Sequence, residues 1–204
     1  MTPRRPQPRT ARGRRTCAAI IDAAAELIYD RGVAATSLDH VLDRSGAGKS
    51  QLYHYFPAGK RDLVAAVVER QLERVLSEQP RLPAITAWAD LEDWADDVAA
   101  SHRSPGGPFR CPLGSLAAEL DRDPELRPVV AAAFERWLEP LREAAARLQQ
   151  RGELSPGADP AHVAERILGS LQGAMMLARA LDDAAVVERA LQAALAELAV
   201  ARNR

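Results

Sequence analysis

Cysteine, histidine, lysine and aromatic residues are all scarce in this chain of 204 residues, and each shortage excludes something. Cys17 and Cys111 are the only cysteines, too few for a disulfide framework, and with four scattered histidines they offer no spacing suited to zinc. No metal and no cofactor is therefore expected. Apolar runs fall well short of the roughly 20 residues that span a bilayer, and the N-terminal residues lack the apolar segment of a secretory signal. The expectation is a cytoplasmic protein that does not enter a membrane. Paired carboxylates, a nucleophile with a base, and a ligand constellation are also missing. Asp96-Asp97, Asp182-Asp183 and Glu119 read as solvated helix faces or caps, so an enzyme is not expected. No stretch alternates persuasively enough to be a strand.

Hydrophobic residues make up 47% of the chain, enough for a real core. The net charge of -1 conceals an asymmetry: residues 1–63 carry 11 Lys or Arg against 6 Asp or Glu, and the remainder 16 against 22. Both lysines, Lys49 and Lys60, lie in the basic part. Arg4, Arg5, Arg9, Arg12, Arg14 and Arg15 precede the first acid, Asp22. Interrupted by Pro3, Pro6 and Pro8, this arm is expected to be disordered alone and attracted to phosphate. A merely solubilising tail is the other reading.

Helical spacing dominates. Ile20, Ala24, Leu27, Ile28 and Arg31 define a first helix, stopped by Gly32, which tolerates a left-handed backbone. Thr36, with Asp39 three residues on, forms a capping-box pattern opening a short second helix whose inward face is Leu38, Val41 and Leu42. It ends near Gly46. A third short helix fits Lys49 to Phe56. Pro57-Ala58-Gly59 breaks it before a longer fourth, marked by Leu63, Val64, Val67, Val68, Leu72 and Val75 and closed by Pro80 and Pro83.

The centre of "DRSGAGKSQLYHYF", Asp43 to Phe56, ends like a phosphate-cradling loop of the Gly-x-x-x-x-Gly-Lys-Ser type. That loop needs a glycine at position 43 and a buried strand before it. Asp43 stands there, and the preceding segment is helical, so a nucleotide site does not fit. A helix-turn-helix does. Its second helix must be slim at its N-terminal end to enter a major groove about 12 Å wide. Gly48 and Ser50 permit close approach. Lys49 can reach phosphate or guanine, Gln51 can read adenine, and Tyr53, His54 and Tyr55 can donate to phosphate or touch thymine methyls. Leu52 and Phe56 read as core, and Tyr53 suits both roles.

The run "TSLDHVLDRSGAGKSQLYHYFPAGKRDL", Thr36 to Leu63, resembles the DNA-binding domain of the tetracycline-repressor (TetR) family, above all in "LYHYF" followed by a Pro-Gly-Lys turn and an acid-Leu pair. The resemblance covers about the first third of the chain. It implies recognition-helix contacts from Lys49, Ser50, Gln51, Tyr53, His54 and Tyr55, and phosphate anchors at Thr36 and Lys60, at helix starts whose amides favour anions. The turn before Lys60 carries one residue more than the commonest family pattern. "CPLGSLAAEL", Cys111 to Leu120, is similar to a segment of a subgroup that includes drug- and flavonoid-responsive regulators.

The implied fold is all-α, about nine helices: an N-terminal basic arm and three-helix helix-turn-helix domain over 1–62, then a larger helical ligand-binding and dimerisation domain over 63–204. In the latter, Trp88, Leu91, Trp94 and Val98 form one stripe before the breaker-rich loop "SPGGPFRCP" from Ser104. A short helix follows. Asp123-Pro124-Glu125 opens a long one with Pro140 inside, expected to kink there. Asp159-Pro160 opens the next, with Val163, Ile167, Leu171, Ala174, Ala178 and Leu181 inward, and the last runs through Val187, Leu191, Leu195 and Leu198.

Gly169 and Gly173 permit close helix approach. By resemblance the last two helices, through Gly169, Gly173, Leu191 and Leu195, dock against a second copy as a four-helix bundle; completing a monomer core is the alternative. Trp94, Trp137, Gln172 and Met175 are candidate contacts to a small-molecule effector, with His102 a further polar anchor and Phe109, Phe134 and Met176 nearby in type. Core packing is the other role for each. The partner expected is a double-stranded DNA operator bound by a homodimer, most simply as a repressor; an activator or a ligand-independent architectural DNA-binding protein are the alternatives.

Overall fold

A computed structural model describes residues 8–103 and 110–202, with side chains through 199. Among the described residues are nine α-helices: α1 (Ala11–Ala35), α2 (Leu38–Ser45), α3 (Lys49–Tyr55), α4 (Lys60–Ser77), α5 (Trp88–Arg103), α6 (Pro112–Leu120), α7 (Arg127–Gln150), α8 (Pro160–Leu181) and α9 (Ala185–Arg202). One 3-10 turn spans Leu82–Ala84, and no strand occurs among these residues. The chain is all-α.

Most boundaries follow from local chemistry, with three corrections. Thr10 caps α1, its hydroxyl oxygen accepting from the Gly13 N–H at 3.0 Å. Arg12, Arg14 and Arg15 therefore lie on the first turns of a helix and not in an unstructured arm, because no proline follows Pro8 to prevent it. Arg4 and Arg5 fall outside the described residues, as does Phe109. At the start of α2 the cap is Ser37, not Thr36: its oxygen accepts from the His40 N–H at 3.1 Å while His40 Nδ1 accepts from the Ser37 N–H at 3.3 Å. The reciprocal pair is thus Ser37 with His40, one residue past the expected Thr36 with Asp39. Asp123 opens a turn, accepting from the Glu125 and Leu126 N–H groups at 2.9 Å each, and α7 proper begins at Arg127. It continues through Pro140 without interruption.

Two compact units are distinguishable, Met1–Arg74 with Ser115–Ala133, and Val75–Gly114 with Phe134–Arg204. Residues 62 and 63, between which the sequence places the division, lie within helix α4. In the first unit α1 packs on α2 and α3, and Ile20, Val41, Leu52, Phe56 and Val67 are buried. In the second, α8 packs on α9 and α9 on α5, with Leu91, Trp94, Val98, Ile167, Leu171 and Leu191 buried. No helix among the described residues is long and apolar enough to cross a membrane.

Candidate nucleic-acid interface and regulatory residues

The short helices are separated by a turn that glycine makes possible. Gly46 closes α2 in the left-handed region, φ 66° and ψ 13°, its N–H bonded to the Leu42 carbonyl at 2.9 Å. Two residues later Gly48 starts α3. Its N–H donates to Gln51 Oε1 at 2.8 Å, so the Gln51 side chain caps its own helix. Base reading by Gln51 is left to its amide N–H groups unless that cap opens.

Because α3 is only two turns long, burial alternates sharply along it. Leu52 is buried and Lys49, Ser50, Gln51, Tyr53 and His54 are exposed. Tyr53 is 45% exposed, but Tyr55 only 8%. Tyr55 is thus no groove contact: its hydroxyl lies where a side chain on Gly13 would have to go, 2.9 Å from the position of a Cβ there, and its ring meets His54 edge-on at 4.9 Å. Thr36 is likewise turned inward, buried, with Oγ1 donating to the Gly32 carbonyl at 2.8 Å. The exposed hydroxyl at that helix start belongs to Ser37. Lys60 is half-buried and its Nζ donates to the Ala34 carbonyl at 3.5 Å.

Sequence reasoning missed how α1 contributes. Arg12, Arg15 and Thr16 face Ser45, Ala47 and Gln51 across an open cleft of about 350 Å³ beside α3. Both arginines are exposed there. Arg44 is less available, its guanidinium 3.3 Å from the Glu26 carboxylate. Cationic groups flanking a slim exposed helix suit a polyanion whose edges that helix can read.

The regulatory candidates divide by how their polar atoms are used. Trp94 is buried and its Nε1–H donates to Gln79 Oε1 at 3.2 Å, the pattern of a satisfied core residue. Trp137, stacked on Phe134 at 6.1 Å, buries its Nε1 with no hydrogen-bond partner, and Gln172 does the same with Nε2. Gln172 lies beside Cys111, and its Oε1 comes within 2.8 Å of where a Cβ on Gly114 would lie, so a larger residue there would displace the Gln172 amide. Burial pushes the Cys111 thiol up, making it a poor nucleophile. His102 donates from Nδ1 to the Val98 carbonyl at 2.8 Å, and its Nε2 is buried without a partner among the described residues. Met175 is buried. Among the described residues no cluster of His, Cys, Asp or Glu could hold a metal ion.

On α8 and α9 the expected contact residues separate. Nothing lies within 4 Å of a Cβ built on Gly169 or Gly173, so both stand beside open space. Leu191 and Leu195 instead point into the chain's own core and present no side chain outward. The apolar side chains turned outward are Met176, Leu177 and Leu181, 69%, 50% and 64% exposed. Leu181 had been expected inward.

A capped eight-residue helix, a left-handed glycine turn and an exposed two-turn helix in an all-α chain define a helix-turn-helix DNA-binding protein. Residues 20–67 match the bacterial regulatory proteins of the tetR family, and residues 87–194 match the tetracyclin repressor-like C-terminal domain. An HTH-type transcriptional regulator of Mycobacterium tuberculosis is 30% identical over 80% of this chain and 84% of its own. Another, from the lacX 3′ region of Lactococcus lactis, is 28% identical over 86% and 89%. The crystal structure of a TetR transcriptional regulator from Chloroflexus aurantiacus superposes with a TM-score of 0.75 at 27% identity, covering 92% of this chain and 96% of that one. The chain belongs to the TetR family of transcriptional regulators, which are DNA-binding proteins and not enzymes.

Proposed function

We propose that this regulator is a cytoplasmic homodimeric repressor that binds a palindromic operator and is released by a small apolar or aromatic effector. The observation that carries the DNA-reading assignment is the division of α3: Leu52 and Tyr55 buried, Lys49, Ser50, Gln51, Tyr53 and His54 exposed. Ser37 and Lys60 at neighbouring helix starts are suited to phosphate. A dimer with α3 helices spaced ~34 Å apart reads two half-sites one helical turn apart.

Gly169, Gly173, Met176, Leu177 and Leu181 supply the twofold face, an apolar surface without a partner in one protomer. Trp137 and Gln172, each with a buried N–H group that no atom of the described residues accepts, are the polar anchors for the effector, with buried Met175 as a further contact and Trp94 as supporting core. The match of residues 87–194 to a tetracyclin repressor-like domain supports the repressor and effector roles. Helix α4 begins within the reading unit and continues past its limit at Arg74, so it can carry a change between the two functions. By linkage the effector must prefer the conformer that binds operator poorly.

Selection of duplexes from a pool of genomic fragments, followed by fluorescence anisotropy at matched salt, tests the proposal. The expected product is an inverted repeat, bound 10³-fold or more tighter than random duplex (an order-of-magnitude figure). Binding with steep salt dependence and no sequence preference would instead mark an architectural protein.

A further inference from the structure

Glu119, which by sequence reads as part of a solvated helix face or cap, reaches the corner from which the reading helices project. Helical geometry fails within α1 at Gly32, φ 84° and ψ 166°. That φ is strained for any side chain, and a Cβ at Gly32 would in addition lie 2.9 Å from Glu119 Oε2 and 3.2 Å from Oε1. Breaking the helix there turns the next amide outward, and the Val33 N–H donates to Glu119 Oε2 at 2.6 Å. Thr36 Oγ1 donates to the Gly32 carbonyl at 2.8 Å, Thr36 N–H to the Val33 carbonyl at 3.3 Å, and Lys60 Nζ to the Ala34 carbonyl at 3.5 Å. Ser37 then caps α2 at once. Residues 32–36 are therefore a corner tied by side chains from α2's entry, α4 and α6, with no slack before the helix-turn-helix.

One unit contains all of these groups, and a second tie in it joins Arg61 of α4 to Glu125, in the turn that follows α6, at 2.8 Å. The two ties differ in kind. Arg61–Glu125 joins two exposed side chains, the type of pair that contributes little. Glu119 instead bonds a backbone N–H, and so fixes the chain direction at the corner itself.

We infer that Glu119 is a positioning residue for operator binding: without touching DNA it sets, through Val33, the pitch at which α2 and α3 leave α1. This rests on the operator-reading assignment above. A residue that sets pitch governs which half-site separation the two reading helices of a dimer match, whereas a residue that merely stabilises the fold does not.

The full chain and its Glu119→Gln and Glu119→Ala variants are titrated against the duplex that the parent selects, and against versions with the half-sites one base pair closer and one farther. Exchange of the Val33 amide is followed by NMR. Glu119→Ala should bind the parent spacing about tenfold more weakly, the loss of a charge-assisted hydrogen bond. It should lose less on at least one altered spacing, and its Val33 amide should exchange faster. Glu119→Gln keeps an oxygen acceptor and should stay within about threefold of the parent. Unchanged binding by Glu119→Ala, or an equal loss at all three spacings, overturns the assignment. If the parent selects no sequence at all, the operator-reading assignment falls first and this one with it.

Discussion

Met176→Glu should dissociate the proposed dimer and leave the protomer folded. Fully burying a Met or Leu side chain contributes about 1.5–3 kcal/mol. Met176, Leu177 and Leu181 retain half to two-thirds of that exposure in one protomer, so each offers roughly 1–2 kcal/mol to a covering surface. A twofold axis presents each residue twice, which makes roughly 6–12 kcal/mol gross, comparable with the ~8 kcal/mol of a micromolar dimer before association costs are met. Glutamate at 176 removes that contribution on both sides and places two carboxylates against apolar surface, each costing at least about 1–3 kcal/mol. The sum, roughly 4–10 kcal/mol, corresponds to a dissociation constant raised by at least about 10³-fold. Since Met176 is exposed in the protomer, unfolding free energy should change by no more than about 0.5 kcal/mol.

Sedimentation over a dilution series reads the dissociation constant, and operator half-saturation should move upward with it. Leu191→Ala is the contrasting control: buried within one protomer, it should cost about 2–5 kcal/mol of folding stability. Met176→Glu dimerising within tenfold of the parent would refute the reasoning, since no twofold interface through this part of α8 tolerates the charge.

Other outcomes follow from the reading face and the caps. Tyr53→Ala should weaken operator binding by roughly 1–3 kcal/mol at matched salt with an unchanged melting temperature, whereas Tyr55→Ala should lower the melting temperature by removing packing; Lys49→Ala should also reduce the salt slope by about one per protomer, about two for a dimer, read from anisotropy at several salt concentrations. Ser37→Ala should cost about 1 kcal/mol in chemical denaturation through loss of the α2 cap, and Thr36→Ser, which keeps the Gly32 bond but deletes a buried methyl, should cost a comparable ~0.8 kcal/mol. The Thr86 backbone N–H, then the Ala87 N–H and the Thr86 hydroxyl, hold the Asp90 carboxyl below its ordinary 3.8. A lowered native value stabilises the fold above pH 3.8, and that contribution fades as the pH falls through the lowered value. Asp90→Asn should therefore melt lower at neutral pH and lose less on acidification below pH 3.8, measured by thermal melts across that range.

Where helices lie was legible in the sequence because helix signals are local: apolar spacing of three and four, a left-handed glycine such as Gly32 or Gly46, a cap, a proline at a first turn such as Pro160. The helix-turn-helix was legible for the same reason, since its turn and both helices lie within Leu38–Tyr55. Locality also explains the small displacement at Thr36 and Ser37. Two adjacent hydroxyl residues are equally good caps, and only the inward turn of Thr36 onto Gly32 decides between them.

What a side chain faces was decided by tertiary structure. Tyr53 and Tyr55 are two residues apart on a two-turn helix, and Tyr55 became core because Gly13 of α1 leaves room for its hydroxyl. Periodicity marked Val163, Ile167, Leu171, Ala174 and Ala178 as the inward stripe of α8, and they are buried, but it extended that stripe to Leu181, which is exposed. Packing chose Leu171, Ala174 and Ala178 for the interior, leaving Met176, Leu177 and Leu181 outward, and buried Leu191 and Leu195 of α9. Glu119 and Val33 lie 86 residues apart. A tie of that length exists only once the chain has folded, because nothing in either segment's own sequence specifies the distance between them.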